Sequence, residues 1–184
     1  YQGARTALTS LEQIMAQPVE RPEGSQFIQR PEFKGEIEFR HVSFSYPGQQ
    51  GNSLDDVSFK INPGERVALI GKVGSGKTTM QKLIMGLYQA SSGAILFDGI
   101  DMRQLDPADV RRNLACVSQD ITLFYGSLRD NITFGMPHAR DDAIVAAAET
   151  AGLNDFVQRH PQGFDRPVGE RGELVSGGQR QGVG

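Results

Sequence analysis

The sequence lacks the features that mark several specialised classes of protein. Its single cysteine, Cys116, excludes an internal disulfide and a thiolate metal cluster, and it is typical of a reducing, cytoplasmic setting. No run of about 18 apolar residues occurs, so the sequence predicts no membrane-spanning helix. Basic residues are not in excess either, because 19 Lys and Arg against 22 Asp and Glu give a formal net charge of −3. This balance argues against a general nucleic-acid binder.

The remaining composition is that of an ordinary globular protein with an excess of glycine. Hydrophobic residues make up 38% of the 184 residues and charged residues 22%, which is enough apolar material for the core of one domain. Glycine is the outlier, with 22 residues, or roughly 12% against a usual value of about 7%. The excess indicates backbone that approaches a ligand closely or adopts positive φ.

The first 34 residues predict a helix followed by a linker. Apolar residues recur at a spacing of three or four, at Leu8, Leu11, Ile14 and Met15. This spacing is that of one helix face. Prolines then interrupt a polar stretch, at Pro18, Pro22 and Pro31. The stretch predicts an extended linker, and a floppy terminus is the alternative.

A compact domain of mixed α/β structure is expected over residues 35–184. Three alternating runs predict an antiparallel sheet, at residues 36–40, 42–46 and 57–61. Two continuous apolar runs predict strands that are buried on both faces, at residues 67–70 and 115–118. Cys116 in the second run is expected to be a small buried hydrophobe. A further strand is predicted at residues 94–97, turned by Asp98-Gly99.

Three helices follow from capping and periodicity. The first has Met80, Leu83, Ile84 and Leu87 on one side. The second begins with Asp106 as N-cap and Pro107 at the first helical position. The third runs from Asp141 to Ala151 and closes at Gly152.

The strongest local motif is Gly71-Lys72-Val73-Gly74-Ser75-Gly76-Lys77-Thr78-Thr79, which satisfies G-x-x-x-x-G-K-[ST] between a predicted strand and a predicted helix. Its glycines allow backbone N–H groups to form a concave nest for phosphate oxygens. Lys77 can bridge the β- and γ-phosphates, and the Thr78 hydroxyl can coordinate Mg²⁺. Thr79 is placed to donate to an α-phosphate oxygen. Candidate phosphate-binding residues are Gly71, Val73, Gly74, Ser75, Gly76, Lys77, Thr78 and Thr79.

A second glycine motif, Ser176-Gly177-Gly178-Gln179, follows Val175. Ser176 and Gln179 have the spacing of a capping box at a helix N-terminus. The two glycines leave N–H groups unshielded, as a second anion site requires, although an ordinary helix cap is the alternative.

Together these segments resemble the nucleotide-binding domain of an ABC transporter. The resemblance depends on the order of Tyr46, the phosphate loop, Gln119 and Ser176–Gln179. It implies that Tyr46 stacks on adenine, that Gln119 is the Q-loop glutamine with catalytic and Mg²⁺-binding roles, and that Ser176–Gln179 form the signature motif. Val175 stands where leucine is usual.

Further segments are similar to ABC exporters, and most of all to type I secretion ATPases of Gram-negative bacteria. Residues 125–132 resemble the region that contacts transmembrane coupling helices, and residues 169–172 resemble the segment before the signature. Residues 1–34 then correspond to the linker that leaves the last transmembrane helix. The implied fold is a phosphate-loop NTPase core with an N-terminal antiparallel β subdomain and an α-helical subdomain.

The resemblance also implies a function and partners. It predicts ATP and Mg²⁺ as ligands, transmembrane domains of the same exporter, and a second ATP-binding domain in a head-to-tail dimer at the cytoplasmic face of the bacterial inner membrane. The family's Asp-Glu pair and switch histidine lie beyond the signature. We therefore expect a truncated domain that binds nucleotide without turnover by itself, with a disordered or rearranged end after Gln179.

Two alternative functions would account for some of the same motifs. A soluble ABC-ATPase that acts on ribosomes or DNA would also carry the phosphate loop and the signature. Another phosphate-loop NTPase would not need Tyr46 or Ser176–Gln179. The segments at 125–132 and 169–172 favour transport.

Overall fold

The structure is a computed structural model that describes residues 2–17, 19–22, 24–136 and 138–183, so Pro18 of the predicted linker lies outside the described residues. The chain divides into two compact units, Tyr1–Ala115 and Cys116–Gly184. Among the described residues, no helix has both the length and the apolar character needed to cross a membrane. The predicted domain boundary near residue 35 stays a prediction.

Both units contain helices, and the described sheet lies in the first. The first unit has α1 (Gln2–Met15), β1 (Ile37–Phe44), β2 (Leu54–Ile61), α2 (Lys77–Ile84), β3 (Ser92–Phe97), β4 (Ile100–Asp101), a 3₁₀ turn (Met102–Gln104) and α3 (Pro107–Asn113). The second has α4 (Leu128–Ile132), α5 (Asp141–Thr150), α6 (Asn154–Gln158), two 3₁₀ turns (Gly163–Asp165 and Glu170–Gly172) and α7 (Gly177–Val183). The predicted α/β class is confirmed.

The four strands form an antiparallel sheet in the order β2-β1-β3-β4. The two alternating runs predicted at 36–40 and 42–46 belong largely to one strand, β1. The pairing register shifts between Phe39 and Val42, where His41 has φ of +51°. Because a β-bulge inserts one extra residue, the inward positions change from odd numbers to even numbers at this point.

In the first unit, α2 and α3 pack against the sheet around a shared hydrophobic core. Its buried residues are Phe39, Val42, Phe44, Leu54, Leu83, Ile95, Phe97, Leu105 and Val110. Leu83 of α2 and Val110 of α3 are almost completely inaccessible. Burial of a side chain of this size contributes about 1.5–3 kcal/mol, so Leu83 fixes the helix that follows the phosphate loop.

Ion pairs and hydrogen bonds attach the predicted linker to the rest of the first unit along its length. Glu20 forms an ion pair with Arg111 at 2.6 Å, and Arg21 pairs with Asp106. Further along, the Ile28 N–H donates to the carbonyl of Gln104 at 2.7 Å. The segment is therefore fixed on the surface of the unit, contrary to the alternative of a floppy terminus.

Asp98, in the turn between β3 and β4, anchors the end of the linker. Its carboxylate accepts hydrogen bonds from the N–H groups of Lys34 (2.7 Å) and Glu36 (3.0 Å), and the Arg30 guanidinium lies 3.2 Å away. Burial raises the pKa of Asp98, but the backbone hydrogen bonds and Arg30 together hold that pKa below its usual value. The ionised carboxylate thus stabilises this junction.

The two predicted strands at 67–70 and 115–118 are wrong for the described residues. Neither segment is a strand, and the exposed fractions of Ile70 and Val117 are 95% and 66%. Cys116 is also exposed, not buried. An apolar run becomes a buried strand only where neighbours bond its edges, and the four described strands pair with one another instead.

Most helix predictions are confirmed. Asp106 caps α3 by accepting from the Ala108 N–H at 2.8 Å, and Gly152 has φ of +70° just after α5. The stripe on α2 is shorter than predicted, because Leu87 lies beyond the helix and is 64% exposed. The expectation of a disordered or rearranged end after Gln179 is wrong up to Val183, where α7 ends.

Candidate functional site

Glycine is required at Gly76 of the phosphate loop, and Gly71 lies close to the side chain of Ser75. Gly76, the N-cap of α2, has φ of +87°, and a Cβ there would lie 2.5 Å from Leu54 Cδ2 and 2.9 Å from the Ser53 carbonyl oxygen. A Cβ on Gly71 would lie 2.5 Å from Ser75 Oγ. The loop is thus folded closely on itself and against the start of β2, and at Gly76 its backbone has a conformation that L side chains rarely adopt.

Lys77 begins α2 and places its ammonium group inside this loop. Its Nζ donates to the carbonyl oxygens of Gly71 (2.8 Å) and Lys72 (2.9 Å) and to Ser75 Oγ (3.3 Å). No side chain of the described residues caps the first turn of α2. Free N–H groups at the helix N-terminus and an adjacent cation are the elements of a phosphate site.

Thr78 and Thr79 differ in exposure. Thr78 is exposed, whereas Thr79 is buried and its Oγ1 lies 3.2 Å from the Tyr46 hydroxyl. Among the described residues, no cluster of three or more His, Cys, Asp or Glu could hold a metal ion. The exposed Thr78 hydroxyl is an oxygen ligand of the kind that Mg²⁺ takes, and Mg²⁺ binding stays a prediction.

Tyr46 lies two residues beyond β1 and contacts α2. Its half-buried ring meets Phe44 and Tyr88 edge to face, with centroids 4.9 and 5.2 Å away. Lys82 Nζ lies 5.3 Å from the ring centroid. The structure thus brings Tyr46 to the helix that carries the phosphate loop, and stacking on adenine stays a prediction.

Sequence reasoning missed Lys82 and Tyr88. The one available signal was spacing, because Lys82 lies three residues after Thr79 and hence on the same face of α2. The contact with Tyr46 depends on the tertiary fold.

Gln119 is exposed in a bend of the second unit. The neighbouring Ser118 hydroxyl donates to the Asp120 carbonyl at 2.9 Å, which stabilises the turn. The proposed role of Gln119 toward Mg²⁺ stays a prediction.

The second glycine motif forms the predicted capping box. The Ser176 N–H donates to Gln179 Oε1 at 2.8 Å, and the Gln179 N–H donates to Ser176 Oγ at 3.3 Å. Val175 is buried in the core of the second unit, whereas Gly177 and Gly178 are exposed in the first turn of α7. The two glycines are therefore exposed at the start of a turn that the capping box fixes.

The second unit also exposes an aromatic patch, defined by Phe124, Tyr125, Phe134 and Met136. The rings of Phe124 and Phe134 stack with centroids 4.3 Å apart and planes 7° from parallel. Tyr125 is 88% exposed, and Met136 is 71% exposed. Contiguous exposed apolar side chains of this kind are typical of an interaction surface.

Comparison with known proteins identifies the family. The family model described as ABC transporter matches residues 54–184. The chain belongs to the ABC transporter family. The family predicted from Tyr46, the phosphate loop, Gln119 and the signature is thereby confirmed.

Relatives of this ABC transporter chain include a protein named as a flippase and one named as an export protein. The chain is 44% identical over 165 residues to an ATP-dependent lipid A-core flippase of Methylococcus capsulatus, which covers 89% of the chain and 27% of the flippase. It is 42% identical over 154 residues to the putative multidrug export ATP-binding/permease protein YgaD of Bacillus subtilis, covering 84% of the chain and 27% of YgaD. The chain thus spans little more than a quarter of the length of these relatives.

A solved structure has the same fold. A bacterial Atm1-family ABC exporter with ATP bound superposes with a TM-score of 0.85 at 32% sequence identity, over 99% of this chain and 32% of that one. These comparisons support the exporter branch over a soluble ABC-ATPase or another NTPase. Neither of the two relatives above is named for type I secretion, so that branch stays a prediction.

Proposed function

We propose that this chain is the ATP-binding domain of an ABC exporter, which uses ATP binding and hydrolysis to move a substrate across a membrane. The observation that carries the proposal is the start of α2. There a helix without a side-chain cap, a glycine with φ of +87° and the Lys77 ammonium group converge on one loop. Such a loop has the donors and the charge for the phosphates of a nucleotide.

Each loop residue has a role in this proposal. Backbone N–H groups of the loop hold phosphate oxygens, and they belong to Gly71, Val73, Gly74, Ser75 and Gly76. Lys77 bridges the β- and γ-phosphates. Thr78 and Gln119 hold Mg²⁺, which neutralises phosphate charge when bound. Thr79 donates to the α-phosphate, and Tyr46 stacks on the base.

The pairing of Tyr46 with Thr79 links the base and phosphate halves of the site. Their hydroxyls lie 3.2 Å apart, so the Tyr46 hydroxyl can donate to Thr79 Oγ1 while the Thr79 hydroxyl donates to a phosphate. The ring also contacts Phe44 and Tyr88, so phosphate binding leaves Tyr46 in place.

The signature motif is proposed to act on a second copy. Ser176–Gln179 would face the ATP of another ATP-binding domain, in the head-to-tail dimer that the family resemblance implies. The support from this chain is the exposed first turn of α7, which contains Gly177 and Gly178.

The aromatic patch is proposed to contact the transmembrane domains. It includes Tyr125 of the segment 125–132, which resembles the exporter segment beside the coupling helices, and its stacked rings offer apolar area to a helix. This placement corresponds to the cytoplasmic face of a bacterial inner membrane, with type I secretion as the branch that the sequence favours.

Calorimetric titration of the 184-residue chain with ATP tests the nucleotide site. Lys77→Ala is expected to weaken ATP binding roughly 10- to 100-fold, since a hydrogen bond to a charged group contributes about 1.5–3 kcal/mol. The matched control is Lys34→Ala, because Lys34 is exposed and its described hydrogen bond comes from the backbone. Equal affinity in both variants would exclude the phosphate site, and an affinity unaffected by removing Mg²⁺ would exclude the metal.

A further inference from the structure

An aromatic cluster surrounds the ring proposed to stack on adenine. We define it by Phe44, Tyr46, Lys82 and Tyr88. Phe44 is buried at the end of β1 and meets Tyr88 with centroids 5.5 Å apart. Tyr46 meets both rings nearly at right angles, at 80° to Phe44 and 86° to Tyr88. Edge-to-face pairs of this kind are attractive beyond the area that they bury, so they restrain the orientation of the Tyr46 ring.

Lys82 contributes the charge in this cluster. Its Nζ lies over the rings of Tyr46 and Tyr88, at 5.3 and 5.9 Å from the two centroids. Both distances are within the range of a cation–π interaction. Lys82 is half-buried, which strengthens the attraction relative to a fully solvated ammonium group.

Helix α2 holds Tyr46 at two points. Thr79 and Lys82 are three residues apart and share one face of the helix. Thr79 Oγ1 contacts the phenol oxygen, and Lys82 lies over the ring. The same helix begins at Lys77 in the phosphate loop, so the position of the ring is tied to the position of the phosphates.

We infer that Lys82 and Tyr88 are positioning residues that hold the Tyr46 ring in place for the base of a nucleotide. The inference rests on the proposed function, in which Tyr46 is the stacking residue. A ring already held in its binding orientation loses less side-chain freedom when the base arrives, so affinity rises without a new contact to the ligand. The effect is expected only for ligands that carry an aromatic base, because Lys82 and Tyr88 are not among the residues proposed to bind phosphate.

Calorimetry with two ligands, ATP and inorganic tripolyphosphate, separates base binding from phosphate binding. Tyr88→Leu and Lys82→Met are each expected to weaken ATP binding roughly three- to tenfold, the cost of immobilising one side chain. Binding of tripolyphosphate is expected to stay unchanged. Tyr88→Phe keeps the ring and Lys82→Arg keeps the cation, so both conservative variants are expected to restore ATP affinity.

A double-mutant cycle shows whether the two residues act through Tyr46. In a Tyr46→Ala background, Tyr88→Leu is expected to have no further effect on ATP affinity, because nothing is left to position. A full effect in that background, or an equal loss for tripolyphosphate, would overturn the inference. Lys82→Met supplies the same test at a half-buried position if Tyr88→Leu lowers stability.

The same titrations distinguish a failure of the positioning role from a failure of the proposed function. If Lys77→Ala weakens binding of both ligands while Tyr88→Leu and Lys82→Met do not change ATP binding, the phosphate site stands and the positioning role is wrong. If Lys77→Ala binds ATP like the unaltered chain, the proposed function itself is wrong.

Discussion

The N-termini of α2 and α7 are both glycine-rich, yet their polar groups are satisfied differently. At α2 the N-cap is Gly76, which offers no side chain, and the Lys77 ammonium group lies in the preceding loop. At α7 the N-cap is Ser176, and its exchange of hydrogen bonds with Gln179 satisfies two backbone donors. One helix start is left open to a ligand, and the other is partly closed by its own side chains.

This difference predicts unequal anion binding. The open start of α2 offers its N–H donors and a fixed cation to one phosphate group, whereas α7 has the N–H groups of Gly177 and Gly178 to offer. We therefore expect α2 to bind phosphate by itself and α7 to contribute mainly when another group holds the phosphate in place. The signature is then a supplementary surface for a ligand that the phosphate loop of another copy holds.

The largest expected effect on the free energy of unfolding comes from adding a methyl group at Gly76, the N-cap of α2. Gly76→Ala combines a left-handed backbone with a Cβ that would meet Leu54 and Ser53, and it should lower the free energy of unfolding by roughly 2–5 kcal/mol and remove ATP binding. Gly74→Ala is the matched control, because Gly74 has φ of +83° but no atom within 4 Å of its Cβ position. Its cost should be roughly 1–2 kcal/mol. Urea unfolding checks both, and equal costs would show that close packing at Gly76 is unimportant.

A smaller effect on the free energy of unfolding is expected from removing the side-chain cap of α7. Ser176→Ala removes the acceptor for the Gln179 N–H and should lower the free energy of unfolding by about 1 kcal/mol. Ser176→Thr keeps a hydroxyl and should cost less. Urea unfolding monitored by circular dichroism measures both variants. A Ser176→Ala chain as stable as the original would mean that α7 is in effect uncapped, like α2.

The smallest effect comes from adding a negative charge at the capped start. Gln179→Glu keeps a side-chain acceptor for the Ser176 N–H and places a carboxylate in the first turn of α7, which should raise the free energy of unfolding by about 0.3–1 kcal/mol at pH 7. The helix N-terminus favours the ionised form, so the gain is present above the ordinary Glu pKa of about 4.3 and is lost as pH falls below it. Urea unfolding at pH 7 and pH 3 checks this. A gain that persists at pH 3 would argue against a charge effect.

The parts of the site that depend on local spacing could be predicted from the sequence. The capping box at Ser176 and Gln179 is a contact within one helical turn, and its residue types specify its hydrogen bonds. The same holds for the glycine at the start of α2, where the motif itself demands positive φ. These elements needed no knowledge of the tertiary fold.

Contacts between distant residues could not be predicted in this way. Asp98 bonds the backbone of Lys34, which lies 64 positions earlier, and no local pattern at either residue indicates the pairing. The run at 67–70 failed for the related reason that burial of a strand depends on its neighbours, which the run does not itself encode. The positioning of Tyr46 by Lys82 and Tyr88 belongs to the same class.

The bonded linker has a mechanical consequence. Between Ile28 and Glu36 the backbone is attached at residues 28, 30, 31, 33, 34 and 36. Successive attachments are at most two residues apart, about 7 Å of fully extended chain. The segment therefore cannot lengthen when α1 is pulled. Several hydrogen bonds, to Asp98 in the β3–β4 turn and to Asp109 and Asn113 of α3, share the load. We therefore expect this segment to transmit a displacement of α1 directly to the first unit.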